Sequence, residues 1–581
     1  MKKVQKATSS NLFEFESFGY GIDFSGNTAI VGTFDIRWIG KHMWVGRDSI
    51  PGGRAYILER NSEGIWVEKQ VLTSPDKHYE DCFGERGVAI SGNYAIVSAS
   101  HHEYDPENKS KVTKSGAAYI YEKDKEGIWQ FKQKVVAFDR NPKGQFGLWV
   151  EIDGEYAFVG TPWNNTDSQG NKTMTRAGAV FVYKRDTEGR WNPFQKLTAS
   201  DRSSNASFGF SCSVSENYMC IGAYAENATD FGQNITKAGA AYIFKKNDQG
   251  VWVETQKLVS TKRAAYGSFG GSVCLNGKQL IVGAQSEPSW SENGDSLKQT
   301  GAAYIFELSK YGTWDFKQKI TACEADQYDN FGAAVGITDN RILVGIPYDE
   351  VIRNGKKLPN AGSAQFFEKE DGKWVRTQRV ISADPEAGQR FGEYLILADE
   401  FAGISEHLDG TVPINTVDKN KTGAVYFYGE FPTEKTCEPP TYELVDYQHP
   451  NPPPPDVFTP EIEDIAITET IVDTIHVEPV IEEPEGEVPI FTLSPNPTTG
   501  KFQLNILNYD GGQYKLILKT PQSREIEKKN FTTKILELDL SREKDGTYIV
   551  KVSNRFGNLQ LPIVLKKIEQ TTDPNPRNNG L

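Results

Sequence analysis

The chain has 581 residues, 38% hydrophobic and 24% charged, with 53 Gly, 25 Tyr and 31 Phe, a balance that fits a soluble all-β protein of many short strands. Its formal charge of −14 is local: residues 436 to 490 hold 14 Asp and Glu and no Lys or Arg, so the other 526 residues carry 64 acids against 64 bases. That excludes the clustered basic surface that nucleic acid or an anionic membrane needs, and no apolar run approaches the ~20 residues of a membrane span.

The start, Met1-Lys2-Lys3, is similar to the basic end of a signal peptide, but the stretch from Val4 to Ser10 is polar where an apolar run should follow, so no export signal is visible. Residues 2 to 17 lead into Phe18-Gly19 much as the stretch from Phe194 to Ser207 leads into Phe208-Gly209. Phe-Gly then recurs at Phe83, Phe146, Phe208, Phe269, Phe331 and Phe391, at spacings of 60 to 65 residues. Some 31 to 35 residues after each Phe, a Gly opens an aromatic strand of the GAAYIY kind, at Gly53, Gly116, Gly178, Gly239, Gly301, Gly362 and Gly423. Six copies then place a Trp 12 or 13 residues on, at Trp66, Trp129, Trp191, Trp252, Trp314 and Trp374, and a fixed place after a hairpin marks these as blade packing.

Each unit reads as four short strands, with Ser91-Gly92-Asn93 supplying the tight turn of a first hairpin. A unit this small buries neither face alone, so seven units predict a seven-bladed β-propeller of four-stranded blades over residues 1–430. The chain begins partway through a fourth strand and the seventh copy lacks one. Residues 2–8 are therefore expected to pair with the last blade and close the ring. The missing seventh Trp leads to the expectation that upstream sequence has been lost. Six cysteines are too few and too irregular for a disulfide framework or a zinc site, and Cys212 and Cys220 read as buried free thiols in consecutive strands.

Residues 431–490, acidic and rich in proline, are expected to form an extended linker. Residues 491–567 read as a small Ig-like β-sandwich with strands near Phe502 to Ile506, Tyr514 to Lys519, Ile535 to Leu540 and Tyr548 to Val552, followed by a flexible tail at 568–581.

The Phe-Gly pairs with their Gly-Ala-aromatic strands resemble FG-GAP repeats, the units of the integrin alpha-chain propeller and of many bacterial surface proteins. Integrin-like blades often carry an acidic calcium loop between strands one and two; here those turns read Ser91-Gly92-Asn93, Asp153-Gly154-Glu155 and Asn276-Gly277-Lys278, so no blade calcium, no other metal and no cofactor is expected. The motifs LSPNPTTGKFQL and DGTYIVKV, in that order near the chain's end, resemble the type A C-terminal sorting domain of type IX secretion. That resemblance implies export across the outer membrane, engagement of the secretion machinery through residues 491–567, and release or display at the cell surface.

The loops between second and third strands run about 16 to 20 residues, long enough on a rigid scaffold to carry binding. Their aromatic and polar residues outside the repeat pattern, Trp38, Trp44, His101, His102, Tyr104, Trp163, Tyr224, Trp290 and Tyr348, are the candidate ligand-binding set. The acids ahead of Phe-Gly, Asp76, Asp139, Asp201 and Asp384, sit in near-equivalent positions, which argues for turn-capping over acid/base work, since catalysis would break the repeat at one place. No nucleophile elbow, zinc-protease helix or phosphate loop is present. The chain thus reads as a secreted or surface binding and adhesion protein for an extracellular glycan or protein, and not an enzyme. An exported carbohydrate-active enzyme, a lyase or glycosidase, and a structural subunit of a surface assembly are the alternatives.

Overall fold

The computed structural model describes residues 2–10, 16–35, 37–39, 42–44, 53–76, 81–230, 233–290, 296–406, 423–429 and 442–446, and, further on, 491–494, 501–506, 514–519, 525–531, 535–539, 546–554 and 557–565. They divide into two compact units, Met1–Val457 and Phe458–Leu581.

The first unit is a ring of seven blades, each with four antiparallel strands from inside to outside and the seventh with one strand more. Blade two is representative: Phe83–Ser91, Tyr94–Ala99, Ala117–Lys123 and Trp129–Val135, hydrogen-bonded in that order. Its first hairpin turns at Gly92, whose φ of 55° lies in open space, while the second and third strands are buried over most of their length. The core lies between blades. Ala89, Ile96 and Ile120 of blade two pack on Phe146, Val159 and Phe181 of blade three, and Trp191 closes that layer. The six repeated tryptophans are 1% to 4% exposed, so each buries nearly its whole indole as wall between neighbours.

Phe-Gly recurs because blades meet there. The Gly that opens each third strand bridges the next blade's Phe, as Gly116 does Phe146 and Gly178 does Phe208. At Gly116, where φ is 88°, a Cβ would fall 2.1 Å from the Phe146 carbonyl oxygen, so the approach admits no side chain. The same contact joins last blade to first: a Cβ on Gly423 would lie 2.5 Å from the Phe18 oxygen. The strand Lys2–Ala7 supplies the outer strand of blade seven, with Val4 opposite Tyr428 and Ala7 opposite Val425.

Two features differ from the sequence reading. The stretch read as linker contributes a strand, Tyr442–Asp446, parallel to Lys2–Ala7 and fifth in blade seven; 431–441 and 447–490 lie outside the described residues. Four of the long loops rise as short two-stranded ribbons, among them Arg37–Ile39 with His42–Trp44 and Val351–Arg353 with Lys356–Leu358.

The second unit holds two antiparallel sheets. One runs Phe491–Ser494, Lys501–Ile506, Ile535–Asp539; the other runs Glu525–Phe531, Tyr514–Lys519, Gly546–Asn554, Gly557–Leu565. Leu504 and Leu538 of the first and Leu516 and Leu518 of the second are buried. The tail at 568–581 lies outside the described residues.

Candidate functional site

The acids ahead of Phe-Gly are ties between blades rather than caps of their own turns. Asp76 at the end of blade one takes Lys134 Nζ at 2.7 Å and the Tyr119 hydroxyl at 2.9 Å, both from blade two. Asp139 pairs with Lys196 at 2.5 Å, Asp201 with Lys257 at 2.6 Å, and Asp384 with Lys6 at 2.7 Å. Burial works against charge on Asp76, Asp201 and Asp384, yet the ammonium beside each, helped by a tyrosine hydroxyl, outweighs it and holds these carboxyls below their ordinary value. Carboxylates kept ionised and paired are poor proton donors, and their repetition makes them structural.

A second tie was missed in the sequence although its period is readable. Four residues after each of the first five repeated Trp, and at Gln5 in the closing strand, stands a Gln whose amide donates to the next blade's Trp carbonyl and accepts from the same residue's N–H. Gln133 does so with Trp191 at 2.7 and 2.9 Å, Gln195 with Trp252 at 2.8 and 2.9 Å, and Gln5 with Trp66 at 2.6 and 2.7 Å.

The candidate loop residues fall into separate groups. Trp38, Trp44 and Trp290 lie on the short ribbons, with their side chains outside the described residues. His101 and His102 diverge. His102 is fully buried, its Nδ1 2.7 Å from Asp81, with the Tyr104 and Tyr119 rings beside it. His101 meets Cys82 Sγ at 3.1 Å and the Gln145 amide at 2.9 Å. Burial pushes the Cys82 thiol up and the His101 imidazole down to about 4, so the pair stays neutral, the reverse of the thiolate and imidazolium a cysteine nucleophile needs. Tyr104 lies under Lys111, whose Nζ is 5.7 Å from the ring centre, and Trp163 under Arg176 at 4.8 Å, each a half-buried aromatic face roofed by a cation. Tyr224 packs on Phe210 with ring centres 4.3 Å apart, and Tyr348 under Arg390 at 4.6 Å.

Tyr348, Phe210 and Arg390 belong to one place, the mouth of the axial channel. A cavity of about 580 Å³ occupies the ring's axis, and Gln285, Pro347 and Tyr348, at the starts of two long loops, are among the residues that line it. Its middle tier takes one equivalent residue per inner strand: Asp23, Ala89, Glu151, Ser213, Cys274, Gly336 and Ile396. Here the repeat symmetry breaks. Asp23 accepts the Ile90 N–H at 2.8 Å, and burial pushes its carboxyl up to about 7; burial, then the neighbouring Asp23 charge, pushes Glu151 well above the carboxylate range. Six copies count five residues from the Phe of Phe-Gly to this tier, and blade two counts six. The extra residue sits at Glu85-Arg86, and Arg86, with φ of 55°, is the one non-glycine inside a described inner strand with left-handed backbone. A Cβ on Gly21 of blade one would lie 2.6 Å from the Arg86 oxygen, so that strand is shaped around the bulge.

Four stretches, residues 66–121, 191–244, 252–306 and 314–367, match the FG-GAP repeat. The chain carries FG-GAP repeats. Each matched stretch begins at the Trp of one blade's outer strand and ends in the third strand of the next, so an FG-GAP unit spans the joint between blades and includes its Gly–Phe contact. No curated protein matches the chain. Among the described residues no helix is long and apolar enough to cross a membrane.

Proposed function

We propose that this chain is a secreted or cell-surface binding protein whose loop face and channel mouth take an extracellular glycan or protein, exported by means of its C-terminal unit acting as an Ig-like sorting sandwich. The observation that carries the reading is the contrast between the two kinds of polar residue. Acids in repeated positions are consumed in joints between blades, whereas the aromatic faces of Trp163 and Tyr348, each under a cation, lie on the long loops of a rigid ring and the unrepeated acids line its channel. FG-GAP repeats occur in extracellular proteins, which agrees with a secreted location. Fractionating the native host, with the intact mass of the mature chain, tests export. A chain found outside the cell without residues 491–567 supports sorting, and a cytoplasmic full-length chain overturns it.

The Asp23 and Glu151 carboxyls, set in one tier with raised pKa values, favour one second reading, a carbohydrate-active enzyme working in the channel. Glu151→Gln separates the two. Loss of turnover with binding retained selects the enzyme, and no turnover by the parent chain on any glycan it binds selects the binding protein.

A further inference from the structure

We propose that the channel mouth is a site for the carboxylate of an acidic sugar, with Arg86 as its anchor; the assignment rests on the binding reading and names its ligand class. Arg86 is the residue blade two adds to the repeat, held in a backbone conformation that costs energy and tolerated because blade one offers Gly21. Its guanidinium lies over the Tyr20 ring at 5.4 Å and reaches the Tyr20 hydroxyl only at 3.4 Å. Among the described residues that is its sole side-chain hydrogen bond, and Arg86 lines the cavity, so a five-donor group able to hold a carboxylate through two parallel bonds keeps donors to offer there.

The acids nearby do not consume it. Glu393 pairs with Arg390 at 3.7 Å, and Glu85, pushed up by burial, feels the Arg86 charge without a hydrogen bond to its guanidinium. One tier below, burial of Asp23 and Glu151 holds the pair short of two full charges at neutral pH, so that tier offers hydroxyl-binding oxygens more than repulsion. The aromatic residues Trp149 and Phe210 and the polar residues Ser211 and Asn330 line the same cavity. An aromatic platform, scattered hydroxyl partners and one unspent guanidinium are complementary to a uronic acid: a ring with an apolar face, hydroxyls around it and a single carboxylate. The cavity has room for the end of a chain of such units.

The test is calorimetric titration of the full chain with trigalacturonic acid and with the same trisaccharide reduced at its carboxyls. The acid is expected to bind, and either carboxyl reduction or Arg86→Gln to weaken it by ~10- to 100-fold, the loss of a charge-assisted bidentate pair. Trp149→Ala, which leaves the bulge intact, is expected to weaken both trisaccharides together. Equal binding of the reduced sugar, an unaffected Arg86→Gln variant of parental melting temperature, or no uronate binding at millimolar concentration each overturns the assignment. Arg86-dependent binding of a short peptide through its C-terminal carboxylate, with no uronate binding, overturns the sugar class. A glycan or protein whose binding survives Arg86→Gln but fails in Trp163→Ala leaves the loop-face reading standing and sinks this one.

Discussion

A single carboxyl group reports how dry the joints between blades are. Asp329, buried two residues ahead of Phe331, is pushed up to about 7, chiefly by desolvation, with the Asp349 charge adding to it. The folded chain therefore holds this proton more tightly than the unfolded chain does, and stability falls as pH rises from the ordinary aspartate value near 3.8 to about 7. Asp329→Asn keeps an oxygen for the Asp326 N–H and removes the buried charge. It is expected to raise stability by about 1–3 kcal/mol at pH 8 and to change little at pH 4, read from urea midpoints at the two pH values. Glycines sort in the same physical way. Gly116→Ala forces a Cβ against the Phe146 carbonyl at 2.1 Å and is expected to cost ~3 kcal/mol or more, whereas Gly92→Ala, with open space around it, costs about 1 kcal/mol for its backbone alone. Equal losses at the two sites would show that φ, and not the close approach, explains the recurring glycine.

Among elements, the tie between adjacent blades is the unit that matters. Gln195→Leu removes both hydrogen bonds to Trp252 and leaves that residue's N–H and carbonyl without their partner, an expected loss of about 2 kcal/mol by denaturant melt. The Gln133 and Gln256 joints lie in other blades, so the same change there should add to it; strong non-additivity would mean the joints couple around the ring. How legible these elements are in the sequence follows from the same physics. Phe-Gly and the strand-opening glycines, in all seven blades, and the tryptophans, in six, stand out because they recur at nearly one spacing, and that suffices for blade number and strand order. Tyr442–Asp446 hides because its surroundings are acidic and proline-rich, which describes composition and not the open strand edge beside it. Glu525–Phe531 and Gly557–Leu565 are edge strands, and the charges of the first and Pro562 of the second are what edges tolerate and central strands do not. The channel has no local motif at all. Asp23, Glu151 and Arg86 lie in three different blades, and only lining up the inner strands exposes the extra residue in the second.

For the molecule as a whole, the closing strand decides whether there is a ring. Removing residues 1–8 strips the outer strand from Ala424–Tyr428 and the Lys6 partner from Asp384. The expected outcome is an opened, aggregation-prone chain with a much lower melting temperature, and a synthetic KKVQKA peptide should restore part of the loss. An unchanged melt would mean that blade seven stands without its closing strand. The two compact units lead to a separate expectation: a chain ending at Val457 should melt at the temperature of the full chain's propeller transition, lacking only the signal of residues 458–581.

Closure by the first strand also sets a clock. Ala7 waits for Val425 and Val4 for Tyr428, roughly 420 residues later, and at about 5–20 residues per second a ribosome needs on the order of 20–80 s to deliver them. Through that interval each completed blade can pack on the one before it, yet the ring stays an open arc with the first strand unpaired. The chain is thus held short of its closed ring by its own strand order until roughly three-quarters of it has been made.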